Sequence, residues 1–373
     1  MNVEVHNYGS VGVLRIGLVL AHYGNTNVTK RFLQSLSLAV AGLVDYDPSI
    51  VFKIVIVDNS KNLIIQNDTM PRMANLEILV PRENLGYSGA CSCGTESLRD
   101  CDFLFFSNND IILFENTLTN LVKSLDVLPD LGALQPLGLR ADDGEIGPTA
   151  EIDSMGITCN PLMNVFSYSN WPIEPIGTLR IDGRVFHEVF GIDGMFFGMR
   201  SKTWFELGGW DPSLFMFNED LMISWKIRLA GLKNYVVLDS VVGHVRGSSA
   251  QGSFIKENPI YPAFYISRNK LLTMLYIYDR KWLLKYFVVG LIFEFGKNSL
   301  LSLRSRSIAH IMYYLRGLVD IGRKQRLIIE ERKKVVHNVS LNTLIDDQQI
   351  LSLRLSLRLI ARNMRTILGE DKG

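Results

Sequence analysis

Two acid-bearing clusters and one histidine are the residues in this chain whose types and spacing can do chemistry. The first cluster is Ser107-Asn108-Asn109-Asp110, directly after the apolar run Phe103–Phe106. The second is Asn218-Glu219-Asp220, opening the helical segment Leu221–Ala230, with His244 following 24 positions after Asp220. A carboxylate at the end of a buried strand accepts hydrogen bonds or ligates a cation, and an imidazole adds a nitrogen ligand. Adjacent acids opening a helix also match the helix dipole, so the pair alone does not define a site.

The elements that must position these residues read as strand, helix, strand. Leu14–Leu20 and Phe52–Val57 are β-branched apolar runs; His22 and Tyr23 follow the first and Asp58 ends the second. Between them Thr29–Ala41 has helical spacing, with Phe32, Leu33, Leu36, Val40 and Leu43 on one side. Leu76–Val80 and Phe103–Phe106 predict two more strands, separated by a helix over Ser88–Arg99. Apolar strands alternating with amphipathic helices predict an α/β fold with a parallel sheet covered on both faces. Ligands then collect beyond the carboxyl ends of the strands, where His22, Tyr23, Asp58, Asn84 and residues 107–110 lie.

From Gly132 to Val185 five prolines interrupt the pattern and the segment reads as loop. Phe190–Met199 predicts a strand carrying Asp193, Lys202–Leu207 a short helix, Gly208-Gly209-Trp210-Asp211 a turn, and Asn234–Leu238 a strand. Pro259 and Pro262 mark a boundary, and from Ile266 the chain reads as helical. Two domains are expected, residues 1–260 and 261–373.

With 39 Lys and Arg against 38 Asp and Glu the net charge is +1, which argues against a nucleic-acid-coating surface. That total conceals an asymmetry. Residues 297–373 hold 15 basic and 7 acidic side chains, so the body is acidic and the tail basic. Arg354, Arg358, Arg362 and Arg365 fall on one stripe of a final helix, a pattern that binds anionic membrane surfaces or packs as a solvated face. The apolar run Tyr286–Phe295 is too short to span a bilayer and includes Glu294, and the first residues lack a secretory signal pattern. Cys91, Cys93, Cys101 and Cys159 form no disulfide framework. The expected location is the cytoplasm, at the inner face of the membrane.

In order along the chain, Ala21–Asn25, Ile54–Ser60, Asn84–Ala90, Phe106–Asp110, Phe190–Arg200, Gly208–Asp211, Asn218–Asp220 and Gly243–Val245 resemble the family 2 glycosyltransferases of the GT-A fold. The resemblance covers residues 14–250 and runs toward the rhamnosyl and galactofuranosyl transferases of surface polysaccharide synthesis. It implies a Rossmann-like nucleotide-sugar-binding domain followed by a mostly helical C-terminal region.

The same resemblance implies roles. His22, Tyr23, Asp58, Asn84 and Gly86 would lie along the nucleotide of a UDP or dTDP sugar. Asn109, Asp193, Trp210, Asp211 and Glu219 would line the donor or acceptor sugar. Asp220 would be the base that deprotonates a saccharide or lipid-linked acceptor in an inverting displacement, its pKa raised by Glu219. Asp110 and His244 would hold Mn²⁺ or Mg²⁺ against the donor diphosphate. Here Asn108 stands where the family's Asp-x-Asp has its first acid. A homo-oligomer is compatible with the tail. A sugar nucleotidyltransferase lacks support, because no Gly-rich, Arg-containing loop follows the first strand. A degenerate, non-catalytic scaffold would be favoured by Asn108 alone. A processive synthase would need a Gln-x-x-Arg-Trp that is not there.

Overall fold

A computed structural model describes residues 13–63, 74–141, 151–245, 261–335, 337–347, 349–356 and 358–359. The strands are β1 (Arg15–His22), β2 (Val51–Asp58), β3 (Ala74–Leu79), β4 (Phe103–Ser107), β5 (Ile111–Leu113), β6 (Leu131–Arg140), β7 (Ile152–Ser154), β8 (Ile157–Cys159), β9 (Val165–Ser167), β10 (Gly177–Ile181), β11 (Arg184–Val189), β12 (Phe196–Arg200) and β13 (Lys233–His244). The helices are α1 (Thr26–Tyr46), α2 (Gly86–Glu96), α3 (Thr117–Val122), α4 (Ser201–Glu206), α5 (Glu219–Leu229), α6 (Tyr261–Ile277), α7 (Arg280–Ser305, with a π-helical turn at Leu283–Phe287), α8 (Ala309–Arg323), α9 (Gln325–Lys334) and α10 (Leu341–Asp346).

Eleven strands of the described residues form one sheet, whose main path runs β10-β11-β13-β6-β12-β4-β1-β2-β3. Strands β4, β1, β2 and β3 are parallel; β4, β1 and β2 are buried as expected from their apolar runs, whereas β3 is an edge strand with largely exposed side chains. Past β4 the sheet becomes mixed. Strand β12 runs antiparallel to β4, and β5 runs antiparallel to the end of β13. This mixed half occupies much of the segment read as loop. Its strands β7, β8 and β9 are only three residues long, too short for a two-residue period to show. Asp193 sits in the loop before β12 rather than within a strand.

The two sheet faces carry separate cores. Helix α1 buries Phe32, Leu33, Leu36, Val40 and Leu43 against Ile16, Leu18, Ile54 and Phe105. On the opposite face α2, α5 and the C-terminal helices share a single core, with Leu221 and Trp225 packed among Leu271, Tyr278, Trp282 and Leu344. The helices after residue 260 are thus built into the core on this face of the sheet. Residues 246–260, with Pro259 and the point of domain division, lie outside the described residues. So do Arg362 and Arg365; of the predicted basic stripe, Arg354 and Arg358 are described and exposed. One helix among the described residues, Arg280–Ser305, has the length and apolar composition to cross a membrane, longer than the sequence run suggested.

Candidate active site

The Asn218-Glu219-Asp220 cluster is presented by an unusual loop. Phe215, Phe217 and Asn218 all have positive φ (66°, 69° and 68°). Each costs an L-residue roughly 1 kcal/mol or more, so neighbours must compensate. Helix α6 does so. Asn269 Nδ2 donates to the carbonyls of Leu214, Met216 and Phe217 at 2.9, 2.7 and 2.8 Å. Arg268 Nη2 donates to those of Ser213 and Leu214 at 2.7 and 3.0 Å, while its Nη1 pairs with Asp320. Sequence reasoning passed over Arg268 and Asn269, which stand in the polar run Ser267–Lys270 but belong to no motif.

The same loop meets the Asn84–Gly86 motif. Gly86 has φ +68°, and a Cβ there would lie 2.3 Å from the Phe215 carbonyl oxygen, so only glycine fits. Asn84 Oδ1 accepts from the Gly86 N–H at 2.8 Å. Asn59, one residue past β2, donates to the Gly86 carbonyl and accepts from the Leu85 N–H, which ties the motif to the strand end.

Between these parts lies a cavity of about 350 Å³, lined by Tyr87, Asn108, Asp193, Gly194, Glu219, Asp220, Ile266 and Lys270 among others. Asp220 Oδ1 accepts from its neighbour's N–H, that of Leu221, at 2.7 Å, and Oδ2 accepts a long bond from the Gly194 N–H at 3.4 Å. Burial, together with the charge of Asp193, pushes Asp220 up to about 7. Glu219 is more deeply buried, with Oε2 unpartnered. Burial and then the Asp220 charge raise it well above the usual carboxylate range. The charge of Asp193 thus joins burial in raising Asp220, and the Asp220 charge in turn raises Glu219, so the two adjacent acids disfavour a second charge. Asp193 is fixed by Ser154, Gln135 and the Met195 N–H. The one cation lining the cavity, Lys270, bonds Asn164 at 2.6 Å and Glu294 at 3.3 Å; burial pulls it down to about 8.

Asp110 and His244 come together across the β5–β13 pairing, which sets His244 opposite Ile111. His244 Nε2 lies 3.5 Å from Asp110 Oδ2, and Nδ1 lies 2.7 Å from Asp153 Oδ2 on β7. Burial alone would depress this imidazole, but the adjoining carboxylates of Asp110 and Asp153 push it up to about 10. Both oxygens of Asp110 are buried without a hydrogen-bond partner, an expense that a cation would remove. A histidine oriented by a second carboxylate, beside an orphaned one, fits a divalent metal. Among the described residues no third Cys, His, Asp or Glu completes a protein-only shell, so the remaining ligands would be substrate oxygens and water. Asp153 escaped sequence reasoning because it lies in the segment read as loop.

Other expected residues are placed away from the cavity. Trp210 is 2% exposed, packed among Tyr87, Phe106, Phe197 and Trp204, so its face is spent on the core rather than on a sugar. Asp211 is also 2% exposed. It caps the turn Pro212–Leu214 through Ser213 and accepts from the Tyr276 hydroxyl at 2.7 Å. Asn109 turns toward α1 and donates to Thr29 at 3.0 Å.

At the nucleotide edge His22 is fully buried between Thr29 and Asn62, and burial lowers its pKa. Asp58 Oδ1 accepts from the N–H groups of Ser60 and Lys61 and Oδ2 from that of Leu63, shaping residues 58–63. Both side chains build the loop, leaving backbone and Tyr23 at the strand ends. The four cysteines are free, and Cys91, Cys101 and Cys159 are buried.

No protein-family model matches the chain. It is similar to an N-acetylglucosaminyl-diphospho-decaprenol L-rhamnosyltransferase of Mycobacterium tuberculosis, 24% identical over 265 residues that cover 67% of this chain and 80% of the relative. Among solved structures, Staphylococcus aureus TarS 1–349 in complex with UDP-GlcNAc overlays with a TM-score of 0.52 at 14% identity, covering 90% of each chain. The fold is that of the GT-A glycosyltransferases, a mixed α/β sheet with a helical C-terminal region. The chain is accordingly a glycosyltransferase.

Proposed function

We propose that this protein moves a sugar from a nucleoside diphosphate donor, UDP or dTDP, to a saccharide or lipid-linked saccharide acceptor, with inversion at the anomeric carbon. Rhamnose is the favoured sugar, with galactofuranose second, because the mycobacterial relative is named for rhamnosyl transfer to a diphospho-decaprenol acceptor. The observation that carries the reading is Asp220. It is a half-buried carboxylate poised near neutrality in a cavity that Asn108, from the β4 end, and Asp193 also line.

Inverting transfer needs one base on the acceptor side, and a carboxylate with pKa near 7 both ionises at working pH and holds a proton well enough to accept one. Glu219, raised well above the usual carboxylate range by burial and by the Asp220 charge, limits the second charge beside the base. A divalent cation at Asp110 and His244, Mn²⁺ or Mg²⁺, would neutralise charge on the leaving diphosphate. Asn108 contributes an amide where a second acid would stand, so the site carries a single carboxylate and depends more heavily on His244. The Asn84–Gly86 backbone would lie along the nucleotide, held by the Phe215 loop that packs where a Gly86 Cβ would stand.

The test is thermal shift against dTDP-rhamnose, UDP-galactofuranose, UDP-N-acetylglucosamine and UDP-glucose with Mn²⁺, followed by transfer to a saccharide acceptor with the best stabiliser. A donor panel that leaves the melting temperature unmoved would refute the reading. Release of inorganic diphosphate in place of nucleoside diphosphate would redirect it to nucleotidyl transfer.

A further inference from the structure

From Val288 onward helix α7 is inside out. Its buried stripe begins apolar with Trp282 and Tyr286 and continues as Gly290, Glu294, Asn298 and Ser302, spaced at four residues, while its outer face carries Leu284, Val288, Ile292, Phe295, Leu300 and Leu303. In a helix whose outer face meets water the hydrophobic effect sets the opposite order, apolar stripe inward and polar stripe outward. Here the inward polar groups are engaged, Asn298 Oδ1 excepted: Glu294 accepts from Ser267 at 2.6 Å and pairs with Lys270 and Lys297, and Asn298 Nδ2 donates to Ser267 at 3.1 Å. The polarity is built into the packing, and the outer face is left for an apolar surrounding.

Helix α8, packed against α7, continues that surface. Ile308, at the turn leading into it, with Met312, Leu315 and Val319 repeats every three or four residues, and all four are exposed, Ile308 by 70% and Leu303 on α7 by 77%. Charge follows the same division. The two acids between residues 280 and 324, Glu294 and Asp320, are both engaged in ion pairs with α6. Lys281, Lys285, Arg304, Arg306, Arg316 and Arg323 are exposed around the apolar area.

We propose that the α7–α8 hairpin lies on an anionic lipid surface, its apolar stripes in the acyl boundary and its cations among the headgroups. An exposed apolar face with basic residues at its edges and its acids turned inward is complementary to such a surface in both chemistry and sign. The hairpin lies along the bilayer rather than crossing it, because Glu294 on its inner side bonds Lys270, which lines the catalytic cavity. The lipid-facing helix therefore sits one residue layer behind the acceptor side of the site. This places the membrane contact on α7 and α8, upstream of the Arg354–Arg365 stripe suggested by sequence. The inference deepens the lipid-linked-acceptor reading but is tested without it.

The experiment is co-sedimentation of the full chain with vesicles of phosphatidylcholine, alone or mixed with phosphatidylglycerol, scored as a partition coefficient without any transfer assay. Wild type is expected to pellet with the mixed vesicles and weakly with phosphatidylcholine alone. The Ile292→Asp, Leu303→Asp double variant should lower partitioning at least about tenfold, since each side chain leaves the acyl boundary. Arg304→Gln with Arg306→Gln should lower it on mixed vesicles only. Thermal melts of both variants with Mn²⁺ and UDP report that the fold and nucleotide site are intact. Three results would overturn the proposal. Wild type could remain in the supernatant, or the Asp variant could pellet as wild type does. Light scattering could also show a dimer that the Asp variant splits while vesicle binding is unchanged, assigning the face to a second copy of this chain.

Discussion

Replacing Asp220 by Asn removes the charge that the cavity makes costly and that the reaction requires, so activity and stability should move in opposite directions. Asn keeps the bond from the Leu221 N–H through its oxygen and forfeits only the 3.4 Å contact with the Gly194 N–H, a small loss. Removing a general base lowers turnover by roughly 10²- to 10⁴-fold. For stability, the carboxyl is raised from 3.8 to about 7, so the native state binds the proton more tightly than the unfolded chain. Native stability of the wild type therefore falls as pH climbs from about 4 to about 7, at about 1.4 kcal/mol per pH unit, and is flat above that. The ceiling is about 4 kcal/mol; because the side chain opens onto the cavity and is partly solvated, about 1–3 kcal/mol is expected. Asn has no such dependence. The variant should melt with the wild type near pH 4 and above it at pH 8, and relief of Glu219 adds to the gain. Thermal melts at the two pH values, with donor turnover measured alongside, decide the matter. Turnover within threefold of wild type, or a melting difference that does not grow with pH, would refute the assignment of Asp220 as a charged base in a desolvating pocket. In the wild type, kcat/KM should rise with pH through about 7 as the base ionises.

Three further outcomes follow from the geometry. His244→Ala should abolish Mn²⁺-dependent stabilisation of the nucleotide-bound protein while sparing the fold, and chelator should suppress wild-type turnover until Mn²⁺ is restored; full turnover in chelator would exclude the metal. Gly86→Ala drives a Cβ to 2.3 Å from the Phe215 carbonyl at a φ that alanine avoids, so urea titration should show a loss of at least about 2 kcal/mol together with weakened nucleotide binding. Asn269→Leu unties three carbonyls of the strained loop, and a loss of roughly 2–4 kcal/mol with a fall in kcat exceeding any change in donor affinity would show that α6 holds the acid loop in place.

The parallel half of the sheet was legible because β1, β2 and β4 are buried and read as apolar runs, with only the edge strand β3 exposed. The mixed half was not, since β7, β8 and β9 are three residues each and prolines interrupt the pattern between them. Helix α5 shows another limit. It is buried almost all round, so it has little amphipathic signal, and even its Lys226 and Arg228 are interior: Lys226 lies 3.5 Å from Glu331 and Arg228 2.8 Å from Glu188. Trp210 and Asp211 sit in a motif that suggested sugar contact, yet burial of the indole among four aromatic rings is a long-range outcome that no local spacing announces.

Sequence by itself determined the residue types that matter, Asp110, Glu219, Asp220, His244 and the Asn84–Gly86 turn, and their order along α/β elements. It also determined the division into an acidic body and a basic tail. Only the tertiary structure decided which acid raises which, because desolvation and charge depend on distance through space: Asp193 acts on Asp220 from 27 residues away, and Asp153 orients His244 from 91. It likewise decided which stripe of α7 is left exposed. A helix reads as amphipathic from either side, and which stripe faces inward is settled by the partners it packs against. For α7 those partners are Ser267 and Lys270, so the polar stripe went in and the apolar one out.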